Sequence, residues 1–486
     1  MAHAKHEERN EDELDRCSHF LIVAYGIQGH LNPARTLARR LARIGGCKAT
    51  LSIQLCGYRR MFPSLKTSSE ISDGVISYIP FSDGKDDGSW PKDIEERIQS
   101  HETTFKSLSA IVNDFASRGR PITSMMCTIS MPVVFEVARE HKIPLAVYWI
   151  QPATTLATYY HYFHGYDELI HAHSTEPTYE VSFPGLYPLK ICDMPTFFSE
   201  TTPNELSTTI MQALQELFQQ IDQERPMVLV NTFTALESIA LDAIKPYMDI
   251  IDVGPVVPPL GALHREQVSE AQIHLFRQDE KDYMEWLGMQ LENSVVYLSF
   301  GSMITYTKRQ LEEILEGLEE CGRPYLWVVR KEGCMEVVDF DLQVVKGGKG
   351  MVVEWCDQLQ VLFHPSLGCF VTHCGWNSTL EAIVAGVPMV AVPSWSDQPL
   401  NARLVEKEWS VGVRAVRDAE GVLTQKELAR CVELVMGDSE KAMKVKENAN
   451  NLKTKAHDVL VTSGPLEISL RGFINRIQDQ KGHVSI

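Results

Sequence analysis

The sequence predicts an α/β protein with two domains, each built on a parallel sheet, that face each other across a cleft. Short apolar segments typical of buried strands alternate with amphipathic helical segments in both halves of the chain. A stretch rich in proline and glycine interrupts this alternation near the middle. The length of 486 residues is also too great for one ordinary hydrophobic core. Two α/β domains of similar build satisfy all three observations.

The composition excludes several classes of protein. The chain carries 46 lysines and arginines against 64 aspartates and glutamates, which gives a net charge of −18. Such a charge repels a phosphate backbone, so we expect no nucleic-acid partner, although helix N-termini can still bind a phosphorylated small molecule. The 11 cysteines are an odd number, which favours reduced thiols and a cytoplasmic location.

The N-terminus has no feature of a targeting or membrane segment. Residues 1–17 are polar and largely charged, and they lack the apolar stretch of a signal peptide. We therefore predict a flexible N-terminal tail over 1–17 and no secretion. No apolar run in the chain approaches the roughly 20 residues of a membrane span, so we expect no membrane partner.

A strand–helix–strand unit follows the tail. Residues 18–25 and 47–54 are short, apolar and β-rich. Between them, Asn32 and Pro33 suit the N-cap and first position of a helix, which Gly45 and Gly46 should end. This order predicts a parallel βαβ unit that begins an N-terminal domain over 18–250.

The N-terminal domain continues with the same alternation. Further strands are predicted at residues 75–79, 121–127, 144–149 and 228–231. Residues 161–200 are rich in aromatic side chains, histidine and proline without a clear period, and we predict loops over a pocket there. The apolar side chains that line such a pocket, or belong to the core instead, are Met131, Trp149, Tyr159, Phe197 and Phe198.

The alternation stops at a predicted interdomain linker over 251–275, which contains the segment GPVVPPLGALHREQ. It resumes in a C-terminal domain over 276–462. The strands predicted there are residues 295–300, 325–329, 351–354, 368–372 and 388–392. Residues 463–486 contain a predicted helix over 465–478, which we expect to pack back on the N-terminal domain.

The turn after the strand at 368–372 is a candidate anion site. Ser378 and Glu381 have the spacing of a capping box, which by itself favours an ordinary helix start. A helix N-terminus also offers free N–H groups and a partial positive charge. Gly375 allows close backbone approach, and His373, Asn377 and Ser378 are donors. The pattern therefore suits a diphosphate as well.

Residue types that bind metals occur in the same region. They are Cys356, His364, Cys369, His373 and Cys374. Their spacing does not match that of zinc motifs, and His373 and Cys374 are adjacent. We therefore predict no metal.

Residues 355–398 read WCDQLQVLFHPSLGCFVTHCGWNSTLEAIVAGVPMVAVPSWSDQ. This segment closely resembles the signature box of the plant UDP-dependent glycosyltransferases, family 1, with the GT-B fold. The resemblance extends to GIQGHLNP at 26–33, VLVNTF at 228–233 and VVYLSFGS at 295–302. It implies two Rossmann-like domains facing across a cleft, with the acceptor bound by the first domain and the UDP-sugar by the second. We expect a monomer.

The resemblance implies a role for each donor-site residue. Trp355 stacks on uracil, as an indole face can, and the backbone of Cys356 pairs with the uracil edge. Gln358 and Glu381 bind the ribose hydroxyls. The implied diphosphate contacts are His373, Asn377, Ser378 and Ser302, with Gly375 allowing their close approach. The implied sugar contacts are Trp376, Asp397 and Gln398, and glutamine at the last position favours UDP-glucose.

The resemblance also implies the chemistry. His30 matches the family's catalytic histidine, which acts as general base on the acceptor. One direct displacement then inverts the anomeric centre without a metal or a covalent intermediate. The usual partner of this base is an aspartate, but Thr128 occupies that place. A hydroxyl orients the ring but cannot neutralise an imidazolium, so we hypothesise an easily ionised acceptor, such as a carboxylic acid or an acidic phenol.

The predicted function is glucose transfer to a hydroxyl or carboxylate oxygen of a small apolar plant metabolite, such as a flavonoid, another phenol, a hormone or a carboxylic acid. Two alternatives stay open: a UDP-sugar-binding protein with weakened catalysis, which Thr128 favours and the retained His30 disfavours, and a nucleotide-sugar epimerase on the same fold. A dinucleotide-dependent oxidoreductase is disfavoured, because residues 26–30 lack the pattern G-x-G-x-x-G.

Overall fold

The computed structural model describes residues 18–44, 46–65, 69–200, 202–257, 282–301, 306–330 and 349–484. Within these ranges the chain forms two α/β units on parallel sheets, so the predicted fold class is confirmed. The predicted N-terminal tail, residues 258–275 of the predicted linker and Ser302 lie outside the described residues.

The N-terminal unit contains a sheet of mostly parallel strands. The strands of the unit are β1 (His19–Ala24), β2 (Lys48–Gln54), β3 (Ile71–Ser72), β4 (Ser77–Phe81), β5 (Ser124–Thr128), β6 (Leu145–Trp149), β7 (Glu180–Val181), β8 (Leu189–Lys190), β9 (Met227–Val230) and β10 (Ile250–Asp252). Eight of these described strands form the sheet, in the order β10-β9-β6-β5-β1-β2-β4-β3. β7 and β8 form a separate antiparallel pair. The central strands β1 and β5 are buried along their whole length, which explains their apolar sequences.

Helices cover both faces of this sheet and its carboxyl edge. They are α1 (Gln28–Arg43), α2 (Leu55–Met61), α3 (Ile94–Ser117), α4 (Val133–Glu140), α5 (Ala153–His161), α6 (Asp167–Ala172), α7 (Glu205–Glu224) and α8 (Thr234–Ile244). A π-helical turn (Tyr162–Tyr166) and two 3₁₀ turns (Ile191–Asp193 and Thr196–Phe198) lie between α5 and α7.

The C-terminal unit contains a second parallel sheet. Its strands are β11 (Val295–Ser299), β12 (Tyr325–Val328), β13 (Gly350–Val353), β14 (Leu367–Thr372), β15 (Met389–Ala391) and β16 (Gly412–Arg414). The order of these described strands is β13-β12-β11-β14-β15-β16. The helices are α9 (Tyr283–Gly288), α10 (Lys308–Cys321), α11 (Gln358–Leu362), α12 (Trp376–Ala385), α13 (Gln398–Arg403), α14 (Gln425–Met436), α15 (Glu440–Leu460) and α16 (Pro465–Val484).

The first helix begins earlier than the sequence predicts. α1 starts at Gln28, and the backbone N–H groups of His30 and Leu31 donate to the carbonyl of Ile27. Asn32 is therefore not its N-cap, and Pro33 lies inside the helix rather than at its first position. The helix tolerates Pro33 near its start because only one intrahelical bond, to the carbonyl of Gly29, is lost. His30 consequently lies in the first turn of a helix and not in a loop.

Two other expectations are corrected, and one strand was missed. Residues 251–252, at the start of the predicted linker, belong to β10, the edge strand of the first sheet. β16 was not predicted; it spans Gly412–Arg414. Residues 161–200 are not loops: they contain helical turns and the β7–β8 pair, and they bury side chains such as Ile170 and Phe183.

The C-terminal helix lies against the N-terminal unit. Leu470 and Phe473 of α16 are fully buried in the core of the first sheet, and the Phe473 ring lies 5.8 Å from that of Phe20 in β1. Gln478 also donates a 3.2 Å hydrogen bond to Ser18 Oγ. The last helix thus ties the end of the chain to its first strand. In the part of the chain that the structure describes, every helix is too short or too polar to cross a bilayer.

We expect Phe473→Ala to lower the free energy of unfolding by about 3–5 kcal/mol, because it leaves a cavity between α16 and β1. Ile468→Ala on the same helix is the control, since Ile468 is 65% exposed. Chemical denaturation of both variants measures the difference. Equal losses in the two variants would show that α16 does not stabilise the first sheet in this way.

Candidate active site

The predicted base and the predicted diphosphate site lie on facing helix N-termini. His30 is in the first turn of α1, after β1, and Asn377 is in the first turn of α12, after β14. Asn377 Nδ2 donates to the backbone carbonyl of Gly29 at 3.1 Å. Both helices begin at the carboxyl edge of a parallel sheet, where ligands of such sheets bind. The structure therefore brings the two predicted sites to one cleft.

The start of α12 is uncapped by side chains. Its N-cap is Gly375, and within the described residues no side chain accepts from its first N–H groups. The capping-box prediction for Ser378 and Glu381 is therefore wrong. The N–H groups at positions 376–378 have no acceptor within the helix, so they and the helix dipole favour an anion there.

His373 is held between two glycines. A Cβ atom added to Gly301 or Gly375 would lie 2.6 Å or 2.5 Å from His373 Nε2, so neither position has room for a side chain beside the ring. Gly301 also has a φ of +76°, which disfavours other residues. Burial lowers the pKa of His373 to about 4. The ring is therefore a neutral hydrogen-bonding group at physiological pH.

The predicted ribose contacts form one hydrogen-bonded network. Gln358 Nε2 donates to Glu381 Oε2 at 2.7 Å and to Ser378 Oγ at 2.9 Å. Tyr297 from β11 donates to Gln358 Oε1 at 3.3 Å. Burial raises the pKa of Glu381 to about 7. This carboxyl group is thus partly protonated near neutrality and can donate to or accept from a hydroxyl.

The predicted uracil segment follows β13. Trp355 is half-buried and Cys356 is buried. The backbone N–H of Asp357 donates to the Tyr283 hydroxyl at 3.0 Å, and Asp357 caps α11 by accepting from the N–H of Gln360 at 3.1 Å. These bonds fix the backbone that should pair with a base.

Asp397 lies at the start of α13 and is buried. Asn401 donates to its Oδ2 at 2.7 Å and to the backbone carbonyl of Cys374 at 2.8 Å. Burial raises the pKa of Asp397 to about 6, and hydrogen bonds from Asn401 and Gln151 oppose that rise. Gln151 lies two residues after the end of β6, so this carboxylate is contacted from both units.

The side chains of Gln398 and Trp376 form hydrogen bonds with the protein backbone. Gln398 Oε1 accepts from the N–H groups of Ser394 and Trp395, both at 3.0 Å, which leaves its amide nitrogen to act as donor. The Trp376 side chain is 4% exposed, and its Nε1 donates to the carbonyl of Asn231 at 2.7 Å. Only the backbone of Trp376 is therefore placed to meet a sugar.

His30 and Thr128 are in contact. His30 Nδ1 and Thr128 Oγ1 are 3.0 Å apart, and Thr128 Oγ1 lies 4.0 Å from Met131 Sδ, a weak acceptor. If the hydroxyl donates to sulfur, it accepts from Nδ1–H, which leaves Nε2 unprotonated. Burial lowers the pKa of His30 to about 4. The imidazole is therefore neutral at pH 7 and a weak base.

The five side chains that the sequence left open between pocket and core belong to the core. Their exposures range from 0% for Trp149 and Phe198 to 6% for Phe197. An apolar surface nearer to His30 was not predicted. The Tyr25 ring lies 5.3 Å from His30 and 6.1 Å from Trp90, which is 38% exposed. Trp90 lies outside any apolar period, so no sequence pattern indicated its role.

Some supporting residues were also missed. Tyr297 and Gly301 belong to the strand and turn of VVYLSFGS, and their position after a central strand was a usable signal. Asn401 and Gln151 carry no sequence signal, because their roles arise only when Asp397 lies between them. Within the described ranges, no three histidine, cysteine, aspartate or glutamate side chains come together as a metal site requires.

Comparisons with known proteins agree with this geometry. A family model described as "UDP-glucoronosyl and UDP-glucosyl transferase" matches residues 261–469. The chain is 42% identical over 465 residues to "Crocetin glucosyltransferase, chloroplastic" of Gardenia jasminoides, with 94% of this chain and 96% of that enzyme covered. It is 38% identical to "Phloretin 4'-O-glucosyltransferase" of Malus domestica, with 94% and 98% covered. These relationships extend over both units.

Solved structures share the whole architecture. The crystal structure of Os79 from O. sativa in complex with UDP superposes with a TM-score of 0.78 at 29% identity, covering 94% of this chain and all of that one (100%). A UDP-glucosyltransferase from Polygonum tinctorium, described as capable of glucosylating indoxyl, gives a TM-score of 0.77 at 23% identity and 95% coverage of this chain. At 23% identity, the similarity to the Polygonum enzyme shows only that the fold is shared.

We expect Gly375→Ala to weaken UDP binding by about tenfold or more, because its Cβ would displace His373 from the N-terminus of α12. Isothermal titration calorimetry with UDP measures the loss. Gly472→Ala in α16 is the control, since a Cβ there meets nothing within 4 Å. Unchanged UDP affinity in Gly375→Ala would separate His373 from the nucleotide site.

Proposed function

We propose that this chain, which belongs to the plant UDP-dependent glycosyltransferases, transfers glucose from UDP-glucose to an oxygen of a small apolar metabolite and inverts the anomeric carbon. The observation that carries the proposal is the hydrogen bond from Asn377 to Gly29, because it sets the base-bearing turn beside the uncapped start of α12. The names of the Gardenia and Malus relatives, both glucosyltransferases, support glucose as the sugar.

The donor is bound by the C-terminal unit. Trp355 stacks on uracil, the backbone at Cys356 pairs with its edge, and the network of Gln358 and Glu381 binds ribose. The first N–H groups of α12 stabilise the diphosphate and the UDP leaving group. Asp397 and the amide nitrogen of Gln398 bind adjacent sugar hydroxyls. The hydrogen bonds that hold the Glu381 and Gln398 side chains in place support this assignment.

His30 Nε2 accepts the acceptor's proton as its oxygen attacks the anomeric carbon from the face opposite UDP. The bond to UDP breaks in the same displacement, so a β-glycoside forms from an α-linked donor. Thr128 holds Nδ1 and thereby fixes the tautomer and the orientation of the ring. The low pKa of His30 keeps it unprotonated and ready to act over the neutral range.

The acceptor is apolar and acidic. Tyr25 and the partly exposed Trp90 extend an aromatic surface outward from His30, which suits a flat or hydrophobic acceptor. Burial makes His30 a weaker base than an ordinary histidine, and its hydrogen-bond partner is the uncharged hydroxyl of Thr128. A phenol or carboxylic acid that ionises easily can be deprotonated by a weaker base. A cytoplasmic location and a monomeric state stay predictions.

We expect the full chain to add a hexose from UDP-glucose to members of a panel of plant phenols, hormones and carboxylic acids, as read by mass spectrometry. His30→Ala should reduce the rate on phenols by about 10²–10⁴-fold, because general-base catalysis is lost. The loss on carboxylates should be smaller, since they are already ionised at neutral pH.

His19→Ala is a matched control, because His19 is a buried histidine of β1 that bonds Thr50 and lies outside the cleft. Product formation at the wild-type rate in His30→Ala would show that the base is misassigned. Binding of UDP-glucose without product from any acceptor would contradict the proposed transfer.

We expect the wild-type protein to act faster on a carboxylate or an acidic phenol than on an aliphatic alcohol of similar shape, because its base is weak. We expect Thr128→Asp to raise activity on the alcohol. A carboxylate beside the ring favours imidazolium and should raise the pKa of His30 by about 1–3 units. Steady-state rates from pH 5 to 8 measure both effects.

The pH dependence of activity should shift in a definite direction in the Thr128 variants. With the pKa of His30 at about 4, the wild-type base stays unprotonated down to about pH 5. Thr128→Asp should lose activity at a higher pH as its base becomes protonated, whereas Thr128→Asn, of similar size and uncharged, should keep the wild-type profile. A much faster wild-type reaction with the alcohol would contradict the acidic-acceptor hypothesis.

A further inference from the structure

The segment that carries the predicted sugar contacts is bonded to the N-terminal unit. The backbone N–H of Thr196 donates to the carbonyl of Ser396 at 2.9 Å, and the N–H of Ser396 donates to Thr196 Oγ1 at 3.0 Å. Ser396 has a φ of 60°, an unfavourable conformation for a residue other than glycine. Ser396 immediately precedes Asp397. This reciprocal pair therefore fixes the backbone just before the buried carboxylate.

An ion pair secures the other side of the same region. Asp193 is 7% exposed, and its carboxylate accepts from the Arg414 guanidinium at 2.5 Å, with Arg403 3.9 Å away. Arg403 ends α13, the helix that Gln398 begins, and Arg414 ends β16. The guanidinium of Arg414 also donates to the carbonyl of Cys192 at 3.2 Å. Residues 193–197 of the first unit thus contact the chain just before α13 and the last residue of that helix.

An aromatic contact lies between these polar contacts. The rings of Phe197 and Trp395 meet edge to face, with centroids 5.3 Å apart and planes at 87°. Phe197 is buried, so the segment around Thr196 is anchored in the N-terminal core and cannot shift freely. The proposed ribose contacts are supported differently. Gln358 and Glu381 bond to each other, and Gln358 also bonds to Tyr297 and Ser378, all within the C-terminal unit.

We propose that Thr196 and Asp193 are positioning residues for the donor sugar. Together they form a clamp, defined as the contacts of residues 193–197 with 395–396, Arg403 and Arg414, that sets Asp397 and Gln398 against the hexose. The inference rests on the proposed function and deepens it, because it assigns part of the donor-sugar selectivity to the acceptor-binding unit. Nucleotide affinity should be independent of the clamp, since among the described residues the bonds of Gln358 and Glu381 run to Tyr297, Ser378 and each other.

Thr196→Val tests the clamp, because it removes the hydroxyl that accepts from Ser396 and keeps the shape of the side chain. The measurements are the ratio of kcat/KM for UDP-glucose to that for UDP-galactose, and the Kd for UDP alone. We expect the ratio to fall about threefold to tenfold, the range for one lost hydrogen bond, while the Kd for UDP changes by less than about twofold. Asp193→Asn should lower the ratio in the same way.

Thr209→Val is the matched control, because the Thr209 hydroxyl donates a solvent-exposed hydrogen bond to the carbonyl of Glu205 in its own helix. An unchanged ratio in both clamp variants would overturn the inference, as would a parallel loss of UDP affinity and melting temperature, which indicates a structural role only. Wild-type protein that transfers no sugar from UDP-glucose would instead reject the proposed function. The two failures are therefore distinguishable.

Discussion

The hydrogen bond between Asn377 and Gly29 is the contact on which the geometry of the site depends. Pro33 has no backbone N–H, so it cannot donate to the carbonyl of Gly29, four residues earlier in α1. That carbonyl accepts the Asn377 amide instead, at 3.1 Å. A proline inside the helix thus frees the acceptor that joins α1 to α12. This bond sets the turn that carries His30 directly against the first turn of α12.

Burial reduces the formal charge of the cleft, in which Asp397 stays largely ionised at pH 7. It lowers the pKa of His30 and His373 to about 4 and raises that of Glu381 to about 7 and of Asp397 to about 6. Each shift moves the group toward its neutral form. The N–H groups at the start of α12 are then the main source of positive potential for a diphosphate. Beyond about 10 Å the net charge of −18 is screened, so it does not prevent binding.

The sequence was sufficient for features that depend on local pattern and insufficient for those that depend on a distant partner. Strands such as β1 and β14 are buried on both faces, so their apolar runs located them and the residues that follow them. The capping-box prediction was wrong because α12 begins at Trp376, before Ser378. The bonds from Asn377 to Gly29 and from Gln358 to Glu381 join residues that lie far apart in the sequence. No spacing rule contains that information.

Thr128 connects the strength of the base to the chemistry of the acceptor. It is fully buried on β5, where a carboxylate would lose its hydration and be costly unless paired. The hydroxyl avoids this cost and still orients His30, but it leaves a developing imidazolium without a compensating charge. Proton transfer to His30 is then less favourable. A more acidic acceptor offsets this, because it gives up its proton more readily. Each unit of acceptor pKa changes the free energy of deprotonation by about 1.4 kcal/mol. Rates should therefore depend more steeply on acceptor pKa with threonine at position 128 than with aspartate.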